Sequence, residues 1–185
     1  MFNRIIFISL LIICTSCSED VSSDSRNSDI IQMDVFKDVN DVSPPFGLDF
    51  SLVQTSPSNP TLSIVLTLDT GDYVISPTTP QDFMGVFNLS FRDSSGVEVL
   101  RGIQAFPTPI DKVYPFDDNP IKCFVGTTLI SHKLKIEKEG DFEAYGTVFF
   151  VHEPSCYPYE VSFLLSRQLG NLSIEKLQTI IPEIN

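Results

Sequence analysis

From Phe46 onward the apolar residues fall on every second position, and that period restricts what the chain can fold into more than any single motif does. Phe46, Leu48, Phe50 and Leu52 alternate with Gly47, Asp49 and Ser51, and Leu62, Ile64, Leu66 and Leu68 repeat the pattern after the turn at Pro57-Ser58-Asn59-Pro60. Successive side chains of a strand point to opposite faces, so such runs bury one face and wet the other; on a helix the same residues would spread around the axis. The pattern returns at Phe87, Leu89 and Phe91, and again at Val161, Phe163 and Leu165. Between Cys123 and Ile136 it sets Thr128, Ile130, His132, Leu134 and Ile136 inward, opposite a solvated Ser131, Lys133 and Lys135. Phe142 to Val151 is apolar on both faces at its far end, which predicts a central strand.

Punctuation between these runs supports the same reading. Thr70-Gly71-Asp72, Asp93 to Gly96, Glu137 to Asp141 and Gly170-Asn171 are turn sequences, and Pro77 and Pro80 forbid a helix between Ser76 and Gln81. Further strands are expected at Tyr73 to Ile75 and Val97 to Ile103, and Leu172 to Ile181 reads as a last strand or short helix. Phe106 to Pro120 holds Pro107, Pro109, Pro115 and Pro120, so it reads as a long ordered loop packed down by Phe106, Tyr114 and Phe116. Fifteen Phe in a chain that is 42% hydrophobic suffice for one core. The expected fold is therefore all-β, an antiparallel immunoglobulin-like β-sandwich of about eight or nine strands over residues 46–185. A net charge of −12 repels phosphate backbones, which argues against a nucleic-acid partner.

The N-terminus has a different grammar. Arg4 supplies a positive charge, Ile5 to Ile13 is apolar apart from Ser9, and Cys14-Thr15-Ser16 places small residues before Cys17. The run is shorter than the roughly 20 apolar residues a spanning helix needs. Thr15 and Ser16 before Cys17, with Glu19 and Asp20 after it, resemble the lipobox of a bacterial lipoprotein, with Cys14 standing where Leu, Val or Ile is more usual, as in Bacteroidota lipoproteins. That resemblance implies a signal peptide over 1–16, a diacylglyceryl thioether on Cys17 and an acylated (palmitate-type) amine, which together make membrane attachment effectively permanent. Ser18-Glu19-Asp20 also resembles the surface-export signal of that group, leaving the cell surface and the periplasm-facing outer membrane as alternatives. Residues 17–45, rich in Ser, Asp and Asn, then read as a lipidated, flexible acidic tether, of which Ile30 to Phe36 could dock as an edge strand.

Four cysteines become two once Cys14 is discarded and Cys17 is lipidated. In an oxidising compartment Cys123 and Cys156 are expected to form a disulfide, worth about 4 kcal/mol in the chain-entropy account. Gly146 to Leu165, GTVFFVHEPSCYPYEVSFLL, resembles the end of the N-terminal immunoglobulin-like domain of DsbD-type periplasmic thiol-disulfide reductases, and Gly71-Asp72-Tyr73-Val74-Ile75-Ser76 resembles an early strand of it. Cys156, followed by Tyr157-Pro158, matches the second redox cysteine of that family, whereas the first would fall at Phe150. The resemblance thus implies the fold more than the activity.

No Gly-x-Ser-x-Gly, phosphate loop, dinucleotide fingerprint or His-Glu-x-x-His occurs. His152, Cys156 and His132 fall short of a zinc ligand set, and Asp117-Asp118, Glu137 and Glu139 read as solvated turns without a calcium loop. Neither a cofactor nor a metal is expected. The chain is read as a non-enzymatic, lipid-anchored binding or assembly module at the outer membrane. Its membrane contact is through the anchor, and a protein or glycan partner would meet the loop from Phe106 to Pro120, with Phe106, Tyr114 and Phe116 as candidates. The alternative is a thiol-disulfide exchange or electron-relay protein working through Cys156.

Overall fold

A computed structural model describes residues 43–53, 56, 58–80, 83–114 and 117–180. The expected signal peptide, Cys17 and all of the tether but residues 43–45 lie outside them. The strands are β1 (Phe46–Val53), β2 (Thr61–Leu68), β3 (Tyr73–Ile75), β4 (Asn88–Phe91), β5 (Val97–Phe106), β6 (Ile110–Tyr114), β7 (Asp117–Phe124), β8 (Thr127–Ile136), β9 (Phe142–Glu153), β10 (Tyr157–Gln168) and β11 (Asn171–Ile180). They form two antiparallel sheets packed as a sandwich, one ordered β1-β2-β8-β5 and the other β11-β10-β9-β3-β7-β6, with β4 also paired to β9. The all-β sandwich is the architecture expected, with eleven strands instead of eight or nine.

The alternation sorts side chains as the sequence suggests. Leu62, Ile64, Leu66, Ile130, Leu134, Val148, Phe150, Val161, Phe163 and Leu165 are fully buried between the sheets. At roughly 1.5–3 kcal/mol for each such side chain, this interleaved layer is the main term holding the domain together. Aromatic rings tie the layers edge to face, as where Phe46 meets Phe150 at 4.9 Å and Tyr159 at 4.8 Å. Phe163 packs against Phe50 at 4.8 Å and Phe91 at 5.4 Å, and its ring sits over Gly146, where a Cβ would run into it. β9 is central, as expected: β10 pairs along almost all of it on one side, while β4 and β3 share the other.

The proline-rich stretch departs from expectation. Phe106 ends β5, and most of the chain from Ile110 to Pro120 forms the β6–β7 hairpin at the edge of the larger sheet, which accounts for the two extra strands. Pro120 is tolerated there for a geometric reason. The Lys122 N–H donates to Thr79 Oγ1 at 2.9 Å and its carbonyl accepts from the Ser76 N–H at 2.8 Å, so that side of β7 faces the 76–79 segment and not β6. Two residues earlier Pro120 faces the same way, beyond the reach of β3, which meets β7 only at Cys123 and Phe124. No ladder bond is lost. Phe106, 76% exposed, does not hold the stretch down; Phe116 and the side chain of Tyr114 lie outside what the structure describes.

Candidate functional site

Two places gather polar side chains, and they differ in kind. The first is the turn joining β9 to β10. Its inward residue His152 is buried, with Nδ1 2.9 Å from Ser155 Oγ and Nε2 3.0 Å from Asp72 Oδ2. The Asp72 oxygen lies off the direction in which a ring N–H would point, so the contact is a close charge–dipole approach and not an aligned hydrogen bond. Asp, His and Ser stand in the order of a hydrolytic triad. A serine nucleophile, however, must give its proton to the imidazole and needs donors for the oxyanion. Ser155 Oγ also lies 3.0 Å from the His152 carbonyl oxygen, and one hydroxyl proton cannot serve both acceptors. The trio is accounted for as a lock that fastens this turn to the loop before β3.

The same turn settles the thiols. Cys156 is exposed, in a left-handed conformation (φ 56°), and its S–H donates to Glu153 Oε2 at 3.2 Å. The carboxylate pushes the thiol above its ordinary range, first through this hydrogen bond and then through its charge. Cys123 is buried on the outer face of β7 among Ile75, Ile121, Tyr73, Phe83 and Val86, and burial raises it to about 11. The expected Cys123–Cys156 disulfide is therefore corrected: both cysteines are free. One is sealed in a small apolar cluster while the other, at the surface, turns toward the Glu153 carboxylate. Neither environment favours the thiolate that attacks disulfides.

The second place is the free edge of the smaller sheet. β5 pairs with β8 at Val99–Leu134 and next at Ile103–His132, so Leu100, Arg101 and Gly102 stand opposite Lys133 alone. Such a bulge bends an edge strand and stops local pairing; Gly102, at φ 97°, takes the left-handed turn that it needs. A cleft of about 540 Å³ opens beside it, lined by Phe87 and Leu89 from the opposite sheet and by Val99, Ile103 and His132. A second depression of about 250 Å³ lies on the other side, lined by Thr61, Gln104, Ser131, Lys133 and again Arg101.

His132 is the notable inner residue. It is 8% exposed, stacks on Phe87 at 6.4 Å, and its Nε2 has no hydrogen-bond partner among the described residues. Burial pushes its pKa below the ordinary value, which keeps the ring neutral near pH 7. Buried polar atoms are seldom left in this state.

Of the residues singled out from sequence, Phe106 ends β5 and lines neither cleft, and Tyr114 ends β6 on the larger sheet. Sequence reasoning misses Arg101 and Lys133, which look like ordinary solvated charges. The signal for them is present nonetheless, because Leu100-Arg101-Gly102 breaks a period-two run and a glycine inside a strand pattern marks a bulge. Among the described residues no group of three or more His, Cys, Asp or Glu is placed to hold a metal ion. No protein-family model matches the chain, and no curated protein matches it.

Proposed function

We propose that the protein is a lipid-anchored, extracytoplasmic binding module, held at the outer membrane through an acylated Cys17, whose recognition surface is the bulged edge of β5. The observation that carries the binding reading is an open cleft walled in part by His132, a nine-tenths-buried side chain whose Nε2 has no partner among the described residues. Pockets that take ligands combine apolar walls with a few convergent polar groups, and this edge has both. The recognition surface thus moves from the Phe106 to Pro120 stretch to residues just upstream of it.

The anchor rests on the sequence between Arg4 and Asp20. Replacing Cys17 by Ser should shift the protein from the membrane pellet to the soluble fraction; a Cys17→Ser protein that still pellets would remove the anchor from the reading. For the recognition surface, native mass spectrometry of detergent-extracted protein should reveal a bound species. A variant lacking Leu100 and Arg101, which brings β5 back into register, should not carry it. Identical spectra for the two proteins would dismiss the cleft.

A further inference from the structure

The outer face of the smaller sheet carries an ordered pattern of its own. Register places Ser51, Ser63, Ser131 and Gln104 side by side on β1, β2, β8 and β5, in one row across the strands. Each alternates with inward residues, so the row faces away from the core. At about 4.8 Å per strand spacing it runs roughly 14 Å. The serines are short and Ser63, in the middle, is only 7% exposed, so the row is the floor of a shallow trough. Taller side chains flank it. On one side Val65, Leu129 and Phe106 form an apolar row, with Leu129 41% and Phe106 76% exposed. On the other, Thr61 pairs with Lys133 and the bulge sets Arg101 beside them, around the depression of about 250 Å³ that also reaches Ser131 and Gln104.

The groups along this trough have nothing to satisfy them. Elsewhere serines turn to neighbours: Ser76 meets Thr78, Ser155 meets His152 and Ser166 meets Ser173. The side chains of Ser51, Ser63, Ser131 and Gln104 make no hydrogen bond among the described residues. The cations repeat the contrast. Lys122 pairs with Asp111 at 2.6 Å, and Lys135 occupies Glu137 at 2.7 Å and approaches Glu98 at 3.9 Å. Arg101 and Lys133 make no ion pair or hydrogen bond among the described residues, and no carboxylate shares the lining of their depression. Asp49 stands on this face too, but on β1, at the opposite edge from Arg101. In a chain with 24 acidic and 12 basic residues, a locally cationic end is an exception.

An occupant of this face must donate and accept along the serine row, offer a flat apolar surface to the Leu129 and Phe106 side, and bring negative charge to Arg101 and Lys133. Hydroxyls donate and accept alike, and a pyranose ring joins a rim of hydroxyls to an apolar C–H face. A small inorganic anion would use the cations and leave the rest uncovered. An acidic peptide adding to the sheet needs a regular free edge, and the bulge interrupts that edge at β5. We propose that the outer face of the smaller sheet binds an acidic polysaccharide, its chain lying along the serine row, a uronate carboxylate between Arg101 and Lys133, and ring C–H groups against Leu129 and Phe106. Arg offers two parallel N–H donors to a carboxylate while Lys adds a point charge. The row has room for about three sugar residues. This surface lies on the opposite face of β5 and β8 from the cleft beside Phe87, and stands without it.

The test uses the full chain in detergent with a β-1,4-linked mannuronate tetrasaccharide as probe. Cellotetraose supplies the same linkage without charge, and tetraglutamate supplies charge without sugar. Titration of the mannuronate should shift the amides of Ser63, Leu129, Ser131 and Gln104 saturably, and both controls should bind at least about tenfold more weakly. Arg101→Ala and Lys133→Ala should each weaken the mannuronate by about tenfold with the remaining spectrum in place, and added salt should weaken it further. Ser131→Phe, which fills the trough, should abolish binding without lowering the melting temperature. If cellotetraose or tetraglutamate binds as tightly as the mannuronate, the acidic-sugar assignment falls. If the mannuronate shifts none of these amides at about 10 mM, or shifts those of Phe87, Leu89 and Val99 instead, the outer face is not the site.

Discussion

The β9–β10 turn and the β5 bulge each present a buried histidine, yet one is closed and the other open. At the turn, the two ring nitrogens of His152 have Ser155 and Asp72 beside them, and the Cys156 thiol has Glu153. At the bulge, His132 Nε2, Arg101 and Lys133 have no partners among the described residues. The turn is a continuous hairpin on the central strand, where neighbours stand on both sides; the bulge lies on an edge, where one side of the backbone faces solvent. Groups that satisfy one another fix a structure, and groups left unsatisfied at a cleft are available to something else.

The largest effect that would test this contrast is at the root of the closed half. Gly146→Val places a branched side chain where the Phe163 ring already sits, and should cost about 3 kcal/mol or prevent folding. A variant with wild-type stability in urea would mean that the hairpin is far more pliant than its packing indicates. His152→Ala should cost roughly 2–3 kcal/mol, because it empties a buried site and removes the contacts of the ring with Ser155 and Asp72.

Acidification probes the histidine at the bulge. Burial holds the His132 pKa below its unfolded value, so the unfolded chain takes up the proton first, and stability should fall as the pH drops below about 6.5. The loss continues until the folded ring protonates as well. His132→Leu should flatten that part of the pH profile of the denaturation midpoint; an unchanged slope would show that the ring is not desolvated in solution. Glu153→Gln removes the carboxylate that raises the Cys156 thiol, and should speed its alkylation at neutral pH with little change in stability. The smallest effects belong to the open half. Arg101→Ala and Lys133→Ala should leave stability within about 0.5 kcal/mol of wild type, since neither side chain has a partner to lose among the described residues. A larger loss in the melting curve would make them structural and close the supposed opening.

Most of the sandwich is legible in the sequence. The inward set on β8 agrees with the alternation down to His132, the turn at Glu137 to Asp141 falls where its residues place it, and the one expected at Gly170-Asn171 lies one residue earlier, at Leu169-Gly170. Periodicity succeeds in these strands because each presents one face to the core and one to water. It fails at Phe106 to Pro120, where four prolines argue for a loop, because a proline disrupts a sheet only if its missing N–H was needed. Which side of Pro120 faces a neighbour depends on where β3 stops, and nothing local to the proline encodes that. The disulfide expectation fails for a similar reason. Counting the cysteines identifies a possible pair, but pairing needs proximity, and the two thiols lie in unlike surroundings.

By itself the sequence determined the all-β class and the inward faces, since both follow from order along the chain. Tertiary structure alone decided that Asp72 meets His152, that Cys123 and Cys156 stay apart, and that Arg101, Lys133 and His132 gather around one bulge. These depend on which strands become neighbours and which remain at an edge, and that outcome is set by how the two sheets together bury their apolar faces.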